Sequence, residues 1–288
     1  MDWFTEAFEP QFMQRALLAG ILASVACSVA GTWVVVRGLA FLGDALAHGV
    51  IPGLALAVLW GFNPVVGALA AALVMTLAVT VVSSRTNLRE DTGIGLLFVG
   101  MLALGVIIVS KSTSFATSVT NLLFGEVLGV TASDLRVQAV AAGAVVTAGI
   151  VLYRPMLALA FNQDKAATLR MRPVAAHAAL MVMLAVAIVA SFQAIGTLLV
   201  FGLLIGPPAT AMLLVRRVSA VMVASVVIGA ICVTLGLAIS FHHGTAGGAT
   251  IAGLSVLAFF LVFTVKELSA AIRRMGSSSF PQTPEEPA

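Results

Sequence analysis

The sequence predicts an all-α protein, a polytopic transmembrane helical bundle of eight or nine spans. Three observations carry that prediction. Of 288 residues, 60% are apolar and only 9% charged, against roughly 25% charged in an ordinary soluble domain. The apolar residues gather into runs close to the roughly 20 residues that cross a bilayer as helix. The basic residues between those runs also sort to one side.

The runs lie near 12–36, 39–60, 64–84, 92–110, 135–153, 175–193, 195–215, 218–240 and 248–266. The first is preceded by Asp2, Glu6 and Glu9, where a cleaved signal peptide carries basic residues, so it is expected to remain in the mature protein. The second contains Pro52-Gly53 and the seventh Gly206-Pro207-Pro208. Broken helices are tolerated at membrane depth only when buried in protein or lining a water-filled cavity, so each reads either as a packing kink or as a helix that lines or gates a path. The fourth opens on Glu90-Asp91, where acidic residues favour a helix N-terminus. Eight spans with one re-entrant segment is the alternative count. The interruption at 111–134 keeps Leu122, Leu123, Phe124, Val127 and Leu128 and reads as a partly buried or re-entrant stretch. Residues 1–275 form the membrane domain; 276–288, rich in Ser and Pro, reads as a disordered cytoplasmic tail.

If successive spans alternate in direction, Arg37, Arg85, Arg89, Arg154, Lys165, Arg170, Arg172, Arg216, Arg217, Lys266, Arg273 and Arg274 share one face. Only Arg15, Lys111 and Arg136 fall on the other. The positive-inside rule makes the first face cytoplasmic, with the N-terminus outside and the C-terminus inside. The pI near 9.3 therefore records membrane sidedness and lipid contact and does not point to nucleic acid. Cys27 and Cys232 sit inside apolar runs and read as small buried side chains.

Ionisable groups inside spans are costly and mark function. Asp44 and His48, in Leu42-Gly43-Asp44-Ala45-Leu46-Ala47-His48-Gly49, are the foremost pair. Four residues apart, they project from one helix face, close enough to share one metal ion; a buried pair that neutralises itself is the equal alternative. The flanking Gly43, Ala45, Ala47 and Gly49 would let another helix, or an ion, approach. His242-His243 at the outer end of the eighth span is a second candidate, as an outer-mouth metal contact or as solvated surface. His177 reads as interfacial. In the cytoplasmic stretch 154–173, Asn162 or Asp164 can cap a short helix whose Ala166, Ala167 and Leu169 suit docking into a partner's groove. No phosphate-binding G-x-x-x-x-G-K-[ST] loop and no intramembrane nucleophile set is present, so the chain is not expected to be an enzyme.

Five ordered segments together resemble the ABC-3 family, the zinc, manganese and iron permeases of bacterial ABC importers. They are Gly43-Asp44-Ala45-Leu46-Ala47-His48 with Pro52-Gly53; Glu90-Asp91-Thr92 with Ile94-Gly95; Leu123-Phe124-Gly125 with Asp134-Leu135; Gln193-Ala194-Ile195-Gly196-Thr197-Leu198-Leu199-Val200; and Leu203-Leu204-Ile205-Gly206-Pro207 with Ala209 and Ala211. The resemblance covers residues 15–265. It implies a homodimeric, multi-pass permease of the bacterial inner membrane that works by alternating access. Two cytoplasmic ABC ATPase subunits would drive it, and an extracytoplasmic metal-binding protein would feed it. No cofactor is bound permanently, and ATP acts only through the partner subunit. By the same resemblance Asp44 and His48 line the metal path or its outer gate, and 162–171, with Asp164, Ala166, Ala167 and Leu169, is the coupling helix. Pro52, Gly53, Gln193, Gly196, Pro207 and Pro208 are the gating or broken-helix positions. The extra histidines lean the transported divalent ion towards zinc, with manganese or iron as alternatives. A siderophore or cobalamin permease is the runner-up, and a secondary transporter comes behind it for want of coupling-ion sites.

Overall fold

In hydrocarbon every backbone N–H and C=O must be satisfied within the protein, so apolar runs of this length become helices. A computed structural model describes residues 2–86, 90–110, 129–161 and 173–277, and among them the structure is helical: α1 (Asp2–Ala7), α2 (Gln11–Val36), α3 (Ala40–Gly49), α4 (Ile51–Trp60), α5 (Pro64–Arg85), α6 (Glu90–Ser110), α7 (Ala132–Val151), α8 (Tyr153–Phe161), α9 (Pro173–Ile195), α10 (Thr197–Leu214), α11 (Val218–His243) and α12 (Gly247–Ser277). Among these residues eight stretches are long and apolar enough to cross a membrane, with α3 and α4 counted as one. The remaining expected span is α10, shorter at 18 residues, or about 27 Å of helix.

The second span is two helices joined at Val50, beside the expected interruption at Pro52-Gly53. Two features depart from the sequence reading. A helix, α8, follows the fifth span directly, with Met156 and Leu159 buried. The last helix runs 31 residues, well beyond the 19 expected. The coupling segment with Asp164, Ala166, Ala167 and Leu169, the 122–128 stretch and nearly all of the tail lie outside the described residues.

Helix α2 is the axis. It is buried along most of its length, whereas α6 and α12 are largely exposed, and it packs against α7, α9, α10 and α11. Helix α10 sits between α2, α11 and α12; α9 carries α5, which in turn carries α4; and α6 lies along α3 and α4. Between apolar helices in lipid there is little hydrophobic drive, so association rests on close packing at small residues. At Gly31 a Cβ would run into the carbonyl of Leu204 on α10, and Gly53 of α4 and Gly67 of α5 meet each other's carbonyls in the same way. Several hydroxyls within the spans bond their own helix one turn back: Thr32 donates to the Ser28 carbonyl at 2.7 Å, Thr210 to Gly206 at 2.8 Å and Ser255 to Ile251 at 3.0 Å. The amide of buried Gln138 on α7 donates to the Ala19 carbonyl of α2 at 3.0 Å.

Among the described residues, three of the basic residues assigned to one face lie at helix ends or against them. Arg37, after α2, lies 2.9 Å from Nδ1 of His177 near the start of α9. The Lys266 ammonium of α12 donates to the Leu213 carbonyl at the end of α10. Arg154, at the start of α8, shares a groove with Ser219 at the start of α11.

Candidate functional site on α3

After α2 the chain turns through Gly38, at φ 70°, a left-handed conformation that glycine adopts without a Cβ penalty. It then enters α3, where Leu42, Gly43, Ala45, Leu46, Ala47 and Gly49 are all buried. That leaves a single open stripe down the helix, Phe41, Asp44, His48 and, across the break, Ile51, at the three- and four-residue spacing of one helical face. Asp44 and His48 keep 34% and 31% of their side-chain surface open, and Nε2 of His48 lies 3.5 Å from Oδ1 of Asp44. That separation is less than twice the roughly 2.1 Å of a metal–oxygen or metal–nitrogen bond, so one ion can touch both.

The flanking small residues serve neighbouring helices. A Cβ on Gly43 would meet the side chain of Leu204 from α10, and one on Gly49 the thioether of Met75 from α5. Their role is to let α3 sit tightly against its neighbours while the pair faces away. On the open side Phe98 of α6 stands edge-on to the His48 ring, with centroids 6.0 Å apart, and to Phe41 at 5.7 Å. The sequence offered no signal for Phe98 beyond an aromatic in an apolar run; its place follows from α6 packing along α3.

Pro52 explains the break beside the pair. It lacks the N–H that would bond the carbonyl of His48, four residues back, and the helix stops at Gly49 and restarts at Ile51. Gly53, next in sequence, is the contact with Gly67 and so packs α4 onto α5. At the other expected break the outcome differs. Helix α10 runs unbroken through Pro207 and Pro208, so these prolines do not divide the span. The chain breaks earlier, at Gly196, whose φ of 80° and ψ of 162° separate α9 from α10. The side chain of Gln193 is outside the described residues.

His242 and His243 end α11, capped by left-handed Gly244. His242 stacks edge-on against Phe241 at 5.3 Å. Among the described residues no three His, Cys, Asp or Glu side chains gather as a metal-binding group, so this pair does not join Asp44 and His48. His177, read as interfacial, is buried and bonded to Arg37.

Comparison with known proteins places these features in context. A family model described as the ABC 3 transport family matches residues 9–266. The manganese transport system membrane protein MntC of Halalkalibacterium halodurans is 32% identical over 91% of this chain and 89% of its own length. A probable iron transport system membrane protein of Haemophilus influenzae is 31% identical over 91% of this chain and 96% of its own. Among solved structures, PsaBC from Streptococcus pneumoniae in complex with Fab superposes with a TM-score of 0.80 at 28% identity, covering 91% of this chain and 94% of that one. An inward-facing metal-chelate type ABC transporter shares the fold at a TM-score of 0.68 and 16% identity.

Proposed function

Because the chain belongs to the ABC 3 transport family, a family of multi-pass proteins of the bacterial inner membrane, we propose that it is the permease subunit of an importer that carries a bare divalent transition-metal ion inward past Asp44 and His48. The observation that carries this reading is the open stripe on α3. An acid and an imidazole a third exposed, on a helix whose Leu42, Gly43, Ala45, Leu46, Ala47 and Gly49 are buried among its neighbours, cannot face lipid without a large penalty. A water-filled path, completed by a second copy of the chain, removes that penalty and supplies the remaining ligands. Two protein ligands per protomer also suit transit, since a conducting site must accept a dehydrated ion and still release it.

In this reading the basic end is cytoplasmic, and 162–171 is the coupling helix that docks on an ABC ATPase through Ala166, Ala167 and Leu169, with Asp164 at its start. An extracytoplasmic binding protein delivers the ion to the opposite end. The histidines that leaned the cargo towards zinc included His242 and His243, and these stand apart from the pair. Relatives named for manganese and iron, together with the carboxylate of Asp44, put manganese first, iron second and zinc third.

The test is ATP-driven uptake by the permease reconstituted with its ATPase and binding protein, offered manganese, iron(II) and zinc singly and in competition. Manganese is expected to enter fastest and to be displaced least. Preference for zinc would reverse the cargo order, and uptake of none of the three would overturn the bare-ion reading.

A further inference from the structure

A groove of about 700 Å³ opens on the flank of the bundle, between α7 and α11, with α2 as its floor. Val25 and Val29 form the base, Val146, Gly149 and Ile150 one wall, and Met222, Val223, Val226 and Val227 the other. Gly149 lets the base lie close, since a Cβ there would press on Val29. The upper walls, Ile150, Val151, Val223 and Val227, are exposed. At one end the lining changes character and becomes Arg154 and Ser219. From Ser219 to Val227 the groove follows α11 for eight residues, about 12 Å, close to half of the roughly 30 Å hydrocarbon core.

We propose that this groove binds an anionic glycerophospholipid of the leaflet on the basic side, with one acyl chain in the valine-lined slot and the phosphate against Arg154. Charge complementarity selects that occupant. Arg154 is exposed, as are Arg216 and Arg217 just before Ser219. Helices α2, α8 and α11 contain no acidic residue, and the one acid of α7, Asp134, lies at its far end. The guanidinium groups at this rim are therefore not neutralised by the helices that build it. Arg217 gives α11 no side-chain cap, so the first amides of that helix add donors for a phosphate oxygen. A slot one leaflet deep with a cationic mouth at headgroup level matches a two-part ligand, an apolar chain beneath an anionic head. The site is separate from the α3 pair, because neither α7 nor α11 packs on α3 or α6.

The complex with its ATPase, purified with minimal lipid, would be titrated with phosphatidylglycerol or phosphatidylcholine, reading both the melting temperature and the lipid retained in native mass spectrometry. Phosphatidylglycerol should raise the melting temperature more than phosphatidylcholine does, and Arg154→Gln should erase that difference. Val227→Trp, which fills the slot and leaves the charge, should also erase it, whereas Asn63→Ser, remote from the groove, should not. An unchanged preference in both groove variants would overturn the proposal. So would efficient cross-linking between protomers through Val223→Cys in membranes, which would assign the groove to a second copy of the chain.

Discussion

The second and seventh spans carry the same sequence signal, a glycine–proline interruption in an apolar run, yet they fold differently. Pro52 accompanies a real break at Val50, while Pro207 and Pro208 ride inside a continuous α10. A proline inside a helix removes one donor and crowds the carbonyl four residues back, at a cost of roughly 3 kcal/mol or more. What differs is the surroundings of the freed carbonyl. In α10 the Leu204 carbonyl, freed by Pro208, lies against Gly31 of α2, close enough for a Cα–H contact to replace part of what is lost. Packing against α2, α11 and α12 holds α10 continuous. Helix α3, by contrast, has only α6 along the partly open stripe that holds the pair, and it stops at Gly49.

The largest effect tests the open side of this comparison. Asp44→Asn keeps shape and removes the charge that offsets metal dehydration. Flux per reconstituted complex should fall by at least the roughly 10–100-fold that loss of a second-shell partner of a metal ligand costs, with insertion and ATPase binding unchanged. If α3 were open for structural reasons alone, the variant would instead lower the yield of assembled complex and leave flux per complex near normal.

Much of the bundle was legible because its determinants are local. Hydropathy located the spans to within a few residues, apart from the end of α12, and the i, i+4 spacing of Asp44 and His48 sufficed to put them on one face, where they lie 3.5 Å apart. What was hidden depends on partners distant in sequence. Gly43 left room for another helix or for an ion, and it is Leu204, from α10, that fills it. The ring of Phe98 covers His48 only because α6 lies along α3. His242 and His243 carried ligand chemistry in their composition, but α11 ends away from the pair. The groove beside Arg154 has no sequence signature, since its floor comes from α2 and its walls from helices more than a hundred residues later.

A second, smaller effect tests the packed side. Gly31→Ala places a methyl group where the Leu204 carbonyl sits, and a backbone cannot step aside as a flexible side chain can. Overpacking of this kind costs about 1–3 kcal/mol and should lower the melting temperature of the purified complex. Gly43→Ala meets only the end of the Leu204 side chain and should cost less. Equal melting temperatures for the two variants would mean that α2 and α10 are not held by that backbone contact.

The smallest effect separates the two prolines themselves. Ala at position 52 restores an N–H opposite the His48 carbonyl, so Pro52→Ala should let α3 and α4 join into one helix through Val50. Joining them stiffens the segment that must move if access alternates, so flux should fall several-fold while assembly is kept. Pro208→Ala restores the same donor opposite Leu204, but α10 is already helical there, and the new bond draws the carbonyl away from Gly31 without changing the course of the span. Flux should stay unchanged and the melting temperature should hold or rise slightly. Equal losses of flux in the two variants would mean that both prolines act as hinges and that packing does not decide which one breaks its helix. Unchanged flux in both would leave the break at Val50 as a packing kink, with the path depending on Asp44 and His48 alone.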